Sequence, residues 1–145
     1  MDEHFYNINL KWVNDRIGEM TSPELLDTVN VATPPPFPKG VEGVWSPEHL
    51  LTAAVNSCFM TTFLAVAENS KLEFTSFSCE SAGKLEKVDG KYLMTEVILK
   101  PKLNIVHKSD SEKAERILIK SENACLISNS IRAKVTLDSI SITAE

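Results

Sequence analysis

The stretch Ser46-Pro47-Glu48-His49-Leu50-Leu51-Thr52-Ala53-Ala54-Val55-Asn56-Ser57-Cys58 decides how the rest of the chain must be arranged. Ser46 offers a side-chain oxygen to the open amides of a first helical turn. Pro47 has the fixed φ that the first helical position tolerates, and Glu48 sets a negative charge at the positive end of the helix dipole. A helix therefore starts here. Its apolar run continues through Phe59, Met60, Phe63, Leu64 and Val66 to Ala67, so apolar side chains occupy nearly every face. That pattern predicts a core helix enclosed by other elements. Thr52, Asn56, Ser57, Thr61 and Thr62 interrupt the run, which argues for a buried helix over a membrane span.

Upstream, residues 5–12 alternate partly and residues 25–32 are rich in Val and Thr, so both read as strands, with a second short strand between them near Arg16 and Gly18. Residues 33–43 carry Pro34, Pro35, Pro36 and Pro38 with two glycines, a composition that excludes helix and makes a stiff loop. Downstream, residues 74–88 and 91–105 flank Asp89-Gly90, a pair suited to the positive φ angles of a tight hairpin turn, and Pro101 is expected to bend or end the pairing. Ser109 and Glu112 form a capping-box pattern ahead of Ala114, Ile117, Leu118 and Ser121, whose helical spacing leads to Cys125. A final strand is expected over residues 132–142.

Strands, a long helix, a hairpin, an amphipathic helix and a strand, in that order, make an α+β chain. The absence of a repeat or of βαβ alternation excludes Rossmann and TIM architectures. With 145 residues and 43% hydrophobic content, residues 1–145 are expected to form one domain with a core of its own. The net charge of -5 has the wrong sign for phosphate backbones or anionic lipid, so neither nucleic acid nor a membrane is an expected partner. Met1-Asp2-Glu3-His4-Phe5 does not read as a basic region followed by an apolar one, and the expected compartment is the cytoplasm, where thiols begin reduced.

The cysteines Cys58, Cys79 and Cys125 make no CxxC pair and have no histidine at a ligand spacing, so no metal site is expected. His4, His49 and His107 are not placed for a Cys-His pair. Cys79 alternates with Ser78 and Glu80 and reads as core filling. Cys58 lies well beyond the first helical turn, where the dipole no longer acts, and its apolar neighbours alone would raise its pKa. A reactive Cys58 thus calls for a cation from elsewhere in the chain, at about 1.4 kcal/mol for each pKa unit of lowering.

At this point the residues resemble a family. The quoted stretch is similar to the helix signature of the OsmC/Ohr thiol peroxidases, in which a Pro-Glu pair precedes an Ala-rich run ending in the peroxidatic cysteine. A second block, Ala124-Cys125-Leu126-Ile127-Ser128-Asn129-Ser130, resembles the family segment that carries the resolving cysteine into the last strand. The resemblance implies antiparallel sheets wrapped around a long helix, an intertwined homodimer, and a cofactor-free peroxidase acting on organic hydroperoxides. Cys58 would attack the peroxide, Cys125 would close a disulfide onto it, and an external dithiol, a lipoyl group in part of the family, would reduce that disulfide.

The resemblance also calls for an arginine beside the thiolate. Arg16 is the one arginine before Cys58, with Lys11 and Lys39 as competitors, and Asn14-Asp15-Arg16-Ile17-Gly18 departs from the Gly-rich arginine turn of the Ohr branch. Glu48 matches the glutamate that orients this arginine, and it serves equally as a first-turn charge on the dipole. Along a straight helix Glu48 and Cys58 stand about 15 Å apart, so a Glu48 near a given Cys58 would come from another subunit. Phe37, Trp45 and Phe59 are candidates for an apolar wall against substrate, with ordinary core packing as the alternative. The competing reading of the whole chain is a non-catalytic protein of the same fold that binds a hydrophobic ligand or a partner.

Overall fold

The structure, a computed structural model, describes residues 2–144. The chain divides into two compact units, Met1–Leu50 and Leu51–Glu145.

In the first unit, β1 (Asn9–Asn14), β2 (Ile17–Thr21) and β3 (Val29–Ala32) form an antiparallel sheet in that order. Sequence alternation placed the first strand at residues 5–12; the hydrogen-bonded strand runs later, because Asn14 pairs with Ile17 across a turn in which Asp15 takes a positive φ of 45°. Residues 33–43 form the expected proline-rich loop, turned by Phe37 N–H to Pro34 O (3.1 Å) and Gly40 N–H to Phe37 O (3.0 Å). Ser46 is fully buried and caps the next helix as expected, its Oγ accepting from His49 N–H at 3.1 Å.

The helix α1 spans Pro47–Asn69. Its buried residues are Val55, Phe59, Phe63 and Ala67, a single stripe of side chains four residues apart. Enclosure on all sides, expected from the all-round apolar composition, is not what the chain alone provides, since Met60 and Leu64 remain 40% and 41% exposed. By length and composition alone α1 is long and apolar enough to cross a membrane, but its stripe is packed into a protein core.

That core belongs to the second unit. β4 (Phe74–Val88) and β5 (Lys91–Ile105) form the hairpin with the bounds the sequence predicts, turned at Asp89 (φ 49°) and Gly90 (φ 79°). On β5 the buried residues Val97, Leu99, Pro101, Leu103 and Ile105 alternate strictly, which aims one face of the sheet at the α1 stripe. Phe63 stacks on Phe77 at 4.7 Å and meets Phe74 edge-on at 5.2 Å. The second helix, α2 (Ser111–Ala124), adds Ala114, Ile117 and Leu118 to the same cluster.

Three sequence expectations change here. The capping box does not form: Lys108–Asp110 makes a 3-10 turn, Asp110 is the N-cap without a side-chain bond, and the Ser111 hydroxyl donates back to Lys108 O at 2.7 Å. The final strand is two strands, β6 (Lys134–Leu137) and β7 (Ser141–Ala144), separated by a kink where Ser139 has a φ of 55°, and both run parallel to β5, so this sheet is mixed. Pro101 does not end the pairing with β4, where it faces Cys79. It falls in the gap on the other edge, after β6 has paired with Glu96 to Leu99 and before β7 pairs with Lys102 to Ile105. A residue without an N–H fits that gap.

Gly83 of β4 lies under the first turns of α1, where an added Cβ would collide with Thr52 Oγ and crowd Met94. Gly83→Ala is expected to lower stability by about 1–3 kcal/mol, read from urea unfolding midpoints, because the Thr52 and Met94 side chains must shift to make room.

Candidate functional site

Cys58 and Cys125 come from α1 and from the residue that caps the end of α2, and within the second unit each thiol shifts the other's pKa. Both are free thiols. Cys58 is partly exposed, whereas Cys125 is fully buried. The chain reverses directly after α2: Asn129 N–H reaches Cys125 O at 3.1 Å and Ser130 N–H reaches Ile127 O at 2.9 Å, which draws Cys125, Leu126 and Ile127 into a tight turn. This turn sits against the middle of α1.

The electrostatics of the pair follow from that arrangement. Burial pushes the Cys58 thiol up. Opposing it are hydrogen bonds donated to its sulfur by the Cys125 thiol, the Ile127 N–H, the Thr62 hydroxyl and the Leu126 N–H, and together they hold Cys58 below the ordinary thiol value. Thr62 Oγ lies 3.9 Å from Cys58 Sγ, one helical turn on. Cys125 shifts the other way, raised first by burial and then by its donation to Cys58. The two thiols are thus shifted in opposite directions, Cys58 down and Cys125 up.

Besides the cation that the sequence calls for, neutral donors within the same unit oppose the effect of burial on Cys58. These donors carry no residue-type signal, since any non-proline residue has an N–H. Cys79 behaves as read, half-buried and pushed up to about 11 by burial, with its carbonyl held by the Asn56 amide at 2.9 Å.

Of the remaining expected site residues, Arg16, Phe37, Trp45 and Glu48 belong to the first unit and Phe59 to the second. Arg16 occupies the β1–β2 turn and is exposed. It lines an open hollow of the first unit, of about 500 Å³, together with Leu10, Trp12, Ile17, Val31 and Pro47. Glu48 sits in the first turn of α1, and Phe37 lies in the proline-rich loop. Trp45 is 51% exposed and meets His49 edge-on at 6.3 Å. Phe59, expected on an apolar wall, is instead a core residue at 0% exposure, 5.9 Å from Phe77, because it lies on the inward stripe of α1. Among the described residues no cluster of His, Cys, Asp and Glu could hold a metal ion.

A family model described as OsmC-like protein matches residues 40–139, a span that includes both cysteines of the pair. The chain belongs to the OsmC-like protein family. Among curated relatives, an uncharacterized Bacillus subtilis protein, YmaD, is 27% identical over 144 residues, covering 94% of this chain and 91% of that one. The Escherichia coli peroxiredoxin OsmC is 28% identical over 93 residues, 64% of each chain. Among solved structures, an OsmC-like protein of unknown function from Vibrio cholerae has a TM-score of 0.85 at 22% identity, covering 95% of this chain and 100% of its own. An organic hydroperoxide resistance protein OsmC from Legionella pneumophila has a TM-score of 0.76 at 22% identity, with 99% of each chain covered. At such identities these structures establish the OsmC-like α+β fold, in agreement with the sequence resemblance.

Proposed function

We propose that this OsmC-like protein is a two-cysteine peroxidase that reduces organic hydroperoxides. The observation that carries the reading is the pairing of a partly exposed thiol held below its ordinary pKa with a buried thiol raised above it, each acting on the other. The Cys58 thiolate attacks one oxygen of the O–O bond, and that bond breaks. The other oxygen leaves as alkoxide and takes a proton to become the alcohol, while Cys58 becomes a sulfenic acid. The Cys125 sulfur then attacks the Cys58 sulfur, water leaves, and a disulfide forms. An external dithiol, such as a protein-borne lipoyl group, returns both thiols and is itself oxidised. The names of the E. coli and L. pneumophila proteins support the reaction and the substrate class.

In this reading residues 1–145 act as one domain of a cytoplasmic protein, with Arg16 adding positive charge at the thiolate and Glu48 orienting it. Phe37 and Trp45 contribute apolar surface for the alkyl group. The working form is a homodimer: in the single chain Leu10, Trp12, Met60 and Leu64 stand 66%, 75%, 40% and 41% exposed, apolar surface that a second copy would cover. Purified protein is expected to consume tert-butyl or cumene hydroperoxide in the presence of dihydrolipoamide and to sediment as a dimer. Consumption no faster than with the dithiol alone would overturn the peroxidase reading.

A further inference from the structure

The pairing of β1 with β2 ends at Asn9 and Thr21. Two residues further on, the same register would set Asn7 against Pro23, which has no N–H to give to a ladder. A side chain takes over there. Glu24 Oε1 accepts from the Asn7 N–H at 3.1 Å and from Asn7 Nδ2 at 3.3 Å. The carboxylate is held in place by its own loop: Ser22 Oγ donates to Glu24 Oε2 at 3.0 Å and accepts the Glu24 N–H at 3.2 Å, and Leu25 N–H reaches Ser22 O at 3.3 Å. Among the described residues, the hydrogen bonds that hold residues 2–7 thus both end on one carboxylate oxygen.

Apolar packing adds little to that hold. Phe5 and Tyr6 are 77% and 87% exposed, so neither buries enough surface to fix the arm. The arm is kept in place by its polar bonds, and a bond to a charged acceptor is roughly twice as strong as one to a neutral acceptor. The charge on Glu24 therefore decides the state of the arm.

We propose that Glu24 is a clasp that holds the N-terminal arm, residues 2–7, beside the segment joining β2 to β3, and that a proton on its carboxylate releases the arm. A protonated carboxyl has a hydrogen of its own to place and is the weaker acceptor, so both bonds from Asn7 lose their charge assistance. The groups that face Glu24 are Asn7 from the arm and Ser22 from its own loop, and among the described residues none that acts on it is charged. The Asn7 N–H, opposed by burial and helped by the Ser22 hydroxyl, holds the carboxyl below the ordinary carboxylate range. With the folded pKa depressed, the clasp is closed above that range and opens as pH falls through the depressed value. It lies within the first unit and does not depend on the peroxidase reading.

Amide NMR of the full chain against pH reads the clasp at Asn7. The Asn7 N–H shift is expected to follow one acid titration with its midpoint below the ordinary carboxylate range. In Glu24→Gln, which keeps an acceptor and has no proton to gain, it is expected to stay flat over the same span. A flat Asn7 shift in the unsubstituted protein, or an equal titration in Glu24→Gln, would contradict the clasp. Should acid unfold the chain first, limited chymotrypsin digestion at neutral pH decides, because cleavage after Phe5 or Tyr6 needs the arm to leave the loop and follows the population of the open form. Cleavage there is expected to be about tenfold faster in Glu24→Ala than in the unsubstituted protein, a tenfold larger open population. Equal rates would overturn the proposal.

Discussion

Cys58→Ser is expected to lose hydroperoxide turnover by roughly a thousandfold or more while keeping its fold. The side chain is only partly buried and its volume barely changes, so stability stays within about 1 kcal/mol of the starting protein. The chemistry does not survive the change. A serine hydroxyl stays protonated at neutral pH, and oxygen cannot take up the peroxide oxygen as sulfur does. Steady-state assays with cumene hydroperoxide and dihydrolipoamide check the loss, and circular dichroism checks the fold. Residual turnover within tenfold of the unsubstituted protein would place the reactive group elsewhere.

Phe63→Ala is expected to cost about 3–5 kcal/mol, a large share of the roughly 5–15 kcal/mol that hold an ordinary domain together. Phe63 is at 0% exposure, stacked on Phe77 at 4.7 Å with an interplanar angle of 17° and edge-on to Phe74 at 5.2 Å. Removing the ring opens a cavity between α1 and the β4–β5 hairpin that the paired strands cannot close. Urea unfolding followed by tryptophan-independent far-UV signal measures the change, and a loss under about 1 kcal/mol would mean that α1 is not seated on this sheet. Because α1 also carries Cys58, the same substitution is expected to loosen the contact with Cys125.

The fold was legible wherever one residue type answers one local demand. Ser46 and Pro47 start α1 because a cap needs an acceptor and a first turn tolerates a missing N–H, and Asp89-Gly90 marks the hairpin because few pairs accept two positive φ angles. What escaped was tertiary. Nothing local tells an apolar helix which of its faces the chain covers, so Phe59 could be read as a wall of a substrate site when it belongs to the inward stripe. The capping pattern at Ser109 lost to a 3-10 turn that ends on Asp110, and the break between β6 and β7 turns on Ser139, a residue without a strong turn signature.

The site divides the same way. Cys58 and Cys125 were found through blocks of sequence, and their contact is a product of α1 packing beside the end of α2. Their acidity ordering was not foreseen, because it depends on backbone N–H groups at Leu126 and Ile127 that any residues there would supply.

The central claim is that these two sulfurs form one redox pair, and mass spectrometry after a single equivalent of cumene hydroperoxide tests it most directly. The account predicts a peptide pair joined by a Cys58–Cys125 disulfide, with Cys79 still a free thiol. Cys58 carried to sulfinic acid while Cys125 remains free, or a disulfide that uses Cys79, would contradict it.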